Sequence, residues 1–407
     1  MPKFLGFLIA ATLASCASRA PVAPPARTVQ SQSETHVAVQ GHPEPMPAYV
    51  EQWLNQPTPG TGIALLLPLS GPFAATAEAV RDGFLARHFA AGGQGSVRVY
   101  DVGDGPERLA AAYRLALDEG AGFIVGPLTK EGVAQLAAMQ PPVPVLGLNY
   151  LDAGTPSPSG FYQFGLAPED EARAAADDAV ARSLRRAVAL VPEGDWGARV
   201  LAAFEDRLNQ AGGRVVAAGR YRQGVSDQKD IISQLMGVAA SEERHRALNA
   251  ALGVKTEFDA RRRADIDLVF LAARASDARV LLPQFRFYRA SGLPLYATSL
   301  IYDGRADADL SGLRFCDMPF MLDAEGDWSR ERAEAAGLAS AAAYPRLYAL
   351  GRDAYQIARA LQRGELRVGD GYRGASGQME WAGSSALVRR LDCVDLRADG
   401  VVAASRP

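Results

Sequence analysis

Hydrophobic positions along this chain fall into two alternating rhythms, and the first clear case is at residues 63–71. Ile-Ala-Leu-Leu-Leu-Pro-Leu-Ser-Gly is a continuous apolar run closed by Pro68, Ser70 and Gly71. That is the pattern of a strand buried on both faces, as in a parallel sheet. A helical spacing follows: Phe73, Ala77, Val80 and Phe84 share one face, with Arg81, Asp82 and Arg87 off it. A buried strand feeding a helix through a Ser-Gly-Pro turn opens a βα unit. Such units place ligands outside the carboxyl ends of their strands. Ser70 is therefore the first candidate site residue, with a helix-capping role as the alternative.

The rhythm repeats. Strand patterns at 97–102, 123–125, 143–148 and 161–166 are interleaved with helical ones at 107–118 and 129–139. Short loops and right-handed crossovers imply a doubly wound parallel sheet with helices on both faces. Pro168 opens a second series, with Glu169, Asp170 and Glu171 crowding a first helical turn where they complement the helix dipole. Strands at 187–191, 214–218, 268–272 and 294–298 alternate with helices at 199–210, 228–236, 241–252 and 276–290. A late helix at 344–362 and closing strands near 378–381 and 391–396 are assigned back to the first sheet. The predicted fold is α/β with two lobes, each an open parallel sheet flanked by helices. Lobe 1 covers 61–166, completed by about 324–407, and lobe 2 covers 167–323. A chain that crosses between two such lobes makes a cleft and a hinge.

The N-terminal end has a different character. Lys3 supplies a positive start, and the apolar run at 4–13 is too short to span a bilayer. Leu13-Ala14-Ser15-Cys16 resembles the lipobox of bacterial lipoproteins, in which the cysteine is lipidated and becomes the mature N-terminus; residues 1–16 then form the signal peptide. Ala17 and Ser18 follow with no Asp beside the cysteine, which by resemblance to lipoprotein sorting implies the outer membrane, held through lipid chains. Residues 17–60, rich in Pro, Ala and Gln, are expected to be a disordered tether. As a flexible coil it would span roughly 35–40 Å. Tyr49, Trp53 and Leu54 near its end suit one short docking helix.

Composition narrows the function classes. Of 407 residues, 48% are hydrophobic and the formal net charge is −3. This is enough for two domains with real cores and gives no push toward nucleic acid. No phosphate loop, GxGxxG, HExxH, GxSxG or CxxC is present. No cofactor, metal or catalytic residue is expected. His36 and His42 lie in the tether, and His88 and His245 sit in helical patterns.

Several segments resemble a known fold. Residues 63–71, Phe123-Ile124-Val125-Gly126-Pro127-Leu128 and Pro144-Val145-Leu146-Gly147-Leu148-Asn149 are similar to the type I periplasmic-binding-protein fold. So are Leu69-Ser70-Gly71-Pro72-Phe73 and Asp195-Trp196-Gly197-Ala198-Arg199, which look like amino-acid-binding members that feed ABC transporters. A narrower group, the LppC/LpoA-like lipoproteins, is resembled by the run from Phe164 to Arg173, by Leu295-Tyr296-Ala297-Thr298-Ser299 and by Asp317-Met318-Pro319-Phe320-Met321-Leu322. The run from Arg346 to Ala354, Arg389-Arg390-Leu391-Asp392 and the Gly400-Val401-Val402 tail continue the match over roughly residues 61–403. Well-studied members carry a helical-repeat domain ahead of the two lobes. Residues 17–60 are too few to hold one and show no repeat, so contacts made through that domain are not carried over.

The resemblance implies a non-enzymatic outer-membrane lipoprotein that binds and activates a class A penicillin-binding protein, regulating peptidoglycan synthesis. The alternative is a lipid-tethered solute-binding protein of an ABC transporter, taking an amino-acid-like small polar ligand. Such a cleft needs hydroxyl and N–H groups for a carboxylate and an acid for an ammonium. Ser70, Thr129, Asn149 and Ser299 stand where strands end, Trp196 and Tyr302 are placed to stack on a ligand, and Asp195 and Asp303 are nearby acids. Thr129 and Ser299 equally suit caps. Arg261, Arg262 and Arg263 are either a solvated helix end paired with Asp265 and Asp267 or a partner-facing patch. Cys316 and Cys393 lie where the chain leaves the second lobe and where it returns toward the hinge. They form either a hinge disulfide or two separately buried thiols.

Overall fold

The computed structural model describes residues 60–403, apart from Gln94. Cys16, the tether with His36 and His42, and Tyr49, Trp53 and Leu54 lie outside the described residues. In chain order the first lobe contains β1 (Gly62–Leu67), α1 (Ala74–Ala90), β2 (Val97–Asp101), α2 (Pro106–Asp118), β3 (Ala121–Val125), α3 (Lys130–Ala138), β4 (Val145–Gly147) and β5 (Phe161–Phe164). The second contains α4 (Pro168–Ala181), β6 (Arg186–Pro192), α5 (Asp195–Gln210), β7 (Arg214–Tyr221), α6 (Lys229–Leu235), α7 (Val238–Leu252), β8 (Leu268–Leu271), α8 (Ala275–Phe285), β9 (Leu295–Ala297) and β10 (Leu313–Asp317). There follow α9 (Pro319–Leu322), α10 (Asp327–Ala335), α11 (Ala339–Ala343), α12 (Pro345–Gln362) and the strands β11 (Tyr372–Gly374), β12 (Gly377–Ala382), β13 (Ala386–Arg390), β14 (Asp392–Arg397) and β15 (Gly400–Ala403).

The strands assemble into two sheets, ordered β11-β12-β13-β5-β4-β3-β1-β2 and β15-β14-β10-β9-β8-β6-β7. Each has a parallel core, and the antiparallel strands are added at one side. Apolar runs arise because both faces of each core are covered. In β1, Ile63, Leu65 and Leu67 pack with Phe84, Leu350 and Tyr355, while Ala64 and Leu66 pack with Tyr113 and Leu136 on the opposite face. In β6, Ala187, Ala189 and Val191 meet Ala175 and Phe204, and Val188 and Leu190 meet Ile232 and Leu281. Burying alternate residues on opposite faces is what turns an alternating pattern into a continuous one.

Helix α12 returns to the first lobe and lies against α1 at very short range. A Cβ built on Gly351 would stand 1.9 Å from the Val80 carbonyl oxygen, and one on Gly83 would stand 2.0 Å from that of Tyr348. Only glycine permits backbones this close.

The closing strands divide between the lobes. β12 and β13 join the first sheet, but β14 pairs antiparallel with β10, in the register Arg314↔Asp395, Phe315↔Val394, Cys316↔Cys393, Asp317↔Asp392. Assigning all of 324–407 to the first lobe is therefore corrected: after β13 a single residue, Leu391, carries the chain across, and β14 and β15 cover the edge that β10 would otherwise leave open. The helix expected over 276–290 ends at Phe285, where the chain enters a wide turn at Arg286–Ala290 with Arg289 left-handed at φ 70°. The chain thus crosses between lobes three times, at 165–167, at Met318 and at Leu391. Among the described residues no helix is long and apolar enough to cross a membrane.

Candidate functional site

The carboxyl ends of the two parallel cores bring most of the candidate residues to the loops that a cleft ligand would touch. At the end of β1, the Asp101 carboxylate accepts the backbone N–H groups of Leu69 (2.9 Å), Ser70 (3.2 Å) and Gly103 (2.8 Å). Burial alone would raise the Asp101 pKa; these donors and the Arg108 guanidinium hold it below the usual carboxylate range. Arg108 also donates to Ser70 Oγ at 3.1 Å. Thr129 caps α3, its Oγ1 accepting the Gly132 N–H at 3.1 Å. Asn149 donates from Nδ2 to the Leu128 carbonyl and accepts the Tyr150 N–H on Oδ1. Tyr150 in turn donates to the carbonyl oxygens of Gly165 and Leu387. These side chains shape their own loops.

In the second lobe, Trp196 is partly buried against the α4–α5 core. Ser299 and Tyr302 enter a polar cluster at the second crossing. The Ser299 N–H donates to Glu171 Oε2 at 2.8 Å, and its hydroxyl is buried with no hydrogen-bond partner. Tyr302 packs its ring against Phe315 at 5.2 Å. From α12, Arg346 donates to both oxygens of Asp317, to the Ser299 carbonyl (3.1 Å) and to the Tyr302 carbonyl (2.8 Å). Burial and the neighbouring Asp317 push the Glu171 pKa up to about 7, against the pull of Arg389, the Ser299 N–H and Arg346. Of the two acids named from sequence, Asp195 opens α5 exposed and Asp303 accepts the Arg305 N–H. Neither joins the cluster.

Glu171, Asp317 and Arg346 are the residues that sequence reasoning missed here. All three lay in or beside segments that carry the family resemblance, but nothing local pairs an arginine at 346 with an aspartate at 317.

The arginine run does not form a uniform patch. Arg263 is held two-pronged on Asp265 at 2.7 and 2.8 Å, drawing that carboxyl down to about 2. Arg262 donates to the Arg263 carbonyl, and Arg261 is exposed. Cys316 and Cys393 form a disulfide with Cα atoms 3.9 Å apart. It ties neighbouring strands of the second sheet, each cysteine beside a crossing, rather than bridging the lobes.

A cavity of about 1010 Å³ lies between α4 and the β12–β15 strands, where the second and third crossings run. Its charged walls are largely paired internally, Asp170 with Arg389, Asp177 with Arg207, Asp178 with Arg314 and Glu380 with Arg390. His88 lies buried 3.3 Å from the Tyr355 hydroxyl, and His245 contacts Asn249 and Phe258. Among the described residues no group of His, Cys, Asp or Glu is arranged to hold a metal ion.

Comparison with known proteins adds two kinds of likeness. A penicillin-binding protein activator LpoA from Photobacterium profundum is 30% identical over 356 residues, covering 84% of this chain and 57% of that protein. The chain thus spans little more than half the length of the curated relatives it matches, with 60% for LpoA of Yersinia pseudotuberculosis. The C-domain of LpoA (YraM) from Haemophilus influenzae, described as a regulator of PBP1A, superimposes with a TM-score of 0.63 at 21% identity, covering 84% of this chain and 100% of that one. An ABC transporter substrate-binding protein from Sphaerobacter thermophilus superimposes with a TM-score of 0.56 at 19% identity, covering 84% and 96%. These two structural likenesses show the fold, a two-lobed one of the periplasmic-binding-protein kind. A model of the family described as "LppC putative lipoprotein" matches residues 28–391, and the chain belongs to that family.

Proposed function

We propose that this chain is a lipid-anchored, non-enzymatic activator of a class A penicillin-binding protein, attached to the outer membrane through Cys16. The observation that carries the reading is the match to proteins named penicillin-binding protein activators over 84% of this chain. The geometry agrees with it. A transporter's solute receptor needs unengaged polar groups in its cleft. Here Thr129 and Asn149 are engaged in their own loops, Ser70 is held by Arg108, and Arg346 takes the carbonyls of Ser299 and Tyr302, although the Ser299 hydroxyl is buried without a partner. Activation is a binding coupling: the lipoprotein shifts its partner toward an active state by binding that state better.

The test is capture from solubilised envelope membranes with the chain as bait, followed by glycan-polymerisation assays on whatever synthase is recovered. A class A penicillin-binding protein whose rate rises on addition supports the reading, and ABC permease components in its place overturn it. Of the arginine run, Arg261 is the free member, so Arg261→Glu is expected to weaken capture with the melting temperature unchanged. Undiminished capture would remove that face from the interface.

A further inference from the structure

We propose that the two lobes are locked to each other by internal arginine clamps, so that closure of this chain needs no dissolved ligand. Two-lobed receptors ordinarily close about their hinge because a ligand bridges the lobes. In this chain the bridge is covalently part of the protein.

The principal clamp is Arg346. It sits in the first turn of α12, a helix fixed to the first lobe by its backbone contact with α1. Its guanidinium reaches into the second lobe, where Nε stands 3.1 Å from each oxygen of Asp317 and Nη2 reaches the carbonyls of Ser299 and Tyr302. The Asp317 side chain is 2% exposed. Opening the lobes would leave that carboxylate buried without its cation, a far worse state than the pair itself. Planar bidentate geometry of this kind belongs to arginine, and lysine does not reproduce it.

A second clamp crosses where the first and third connections run. Arg389 of β13 donates to Asp170 of α4 at 3.2 Å and to the Ala167 carbonyl at 3.1 Å. Both side chains are 1% exposed. Between the clamps, Phe320, Tyr348, Ala349 and Ala375 from the first-lobe side share one apolar cluster with Ile301, Tyr302 and Phe315 of the second. Separation would have to break both ion pairs and split that cluster.

Hydrogen exchange on the intact chain, read by mass spectrometry, tests the lock. The parent protein should protect the amides of Ser299, Tyr302 and Met318, and a saturating mixture of the common amino acids should leave their rates unchanged. Arg346→Met should accelerate these amides at least tenfold while those of β1 and β6 keep their rates, and Arg346→Lys should restore only part of the protection. Unchanged exchange in Arg346→Met, or full restoration by lysine, overturns the clamp. Should the methionine variant fail to fold, small-angle scattering of the parent decides alone. A profile insensitive to amino acids is expected; contraction on adding any of them overturns the proposal.

Discussion

Replacing Glu171 with glutamine changes one carboxyl inside the hinge and leaves its shape. In the folded chain burial and Asp317 push its pKa up to about 7, from an ordinary 4.5. Between those two values the folded protein keeps a proton that the unfolded chain has released. The group's contribution to stability is therefore complete below pH 4.5 and is lost as pH rises through 7. At about 1.4 kcal/mol per tenfold, the gap corresponds to about 3 kcal/mol. Glu171→Gln cannot ionise, and its amide oxygen can still accept the Ser299 N–H. The variant should match the parent near pH 4.5 and exceed it by about 3 kcal/mol at pH 8. Urea unfolding of both proteins at pH 4.5, 6, 7 and 8 gives the difference directly, with the parent acting as control for every other titrating group. A difference that stays flat, or that grows toward acid, would mean that Glu171 is charged in the folded protein throughout and that burial does not govern it.

Two further outcomes follow from the packing. The Cys316–Cys393 bond closes a separation of 77 residues, so the Cys316→Ala, Cys393→Ala double variant should lose about 4–5 kcal/mol in denaturant unfolding on the chain-entropy model. Alkylation of two thiols in the unreduced parent would remove the premise. Gly351→Ala should destabilise the chain by on the order of 3 kcal/mol, because its methyl group would overlap the Val80 carbonyl; an unchanged melting temperature would mean that α1 and α12 do not meet as described.

Much of the architecture could be read from the sequence because both parallel cores are covered on two faces, which writes long apolar runs such as 63–67 and 187–191 into the chain. Partner choice between sheets could not. The pattern at 392–397 announces a strand, but its pairing with β10 is decided by reach from β13 and by an open edge, neither of which is local. Helices α10 and α11 escaped notice because each buries a single alanine and so carries no apolar stripe. The candidate site was legible in position and not in role. Ser70, Thr129 and Asn149 do stand at strand ends, but hydroxyl and amide groups serve caps and loop pins as readily as ligands. The Arg346–Asp317 contact spans 29 residues and two lobes, and no spacing rule describes it.

The late arrival of β14 bears on how the chain is made. Strand β10 has β9 on one side and β14 on the other, and β14 is synthesised 75 residues after β10 ends, counting Asp317 to Asp392. Throughout that interval the second sheet presents an unpaired hydrogen-bonding edge, the configuration that invites pairing with a foreign strand. Neither lobe can be finished in one continuous pass, since each waits for residues emitted after work on the other has begun. Truncations before Asp392 should therefore aggregate rather than yield a soluble first lobe with a partial second. Strands β14 and β15 act as the closing stitch of the whole assembly.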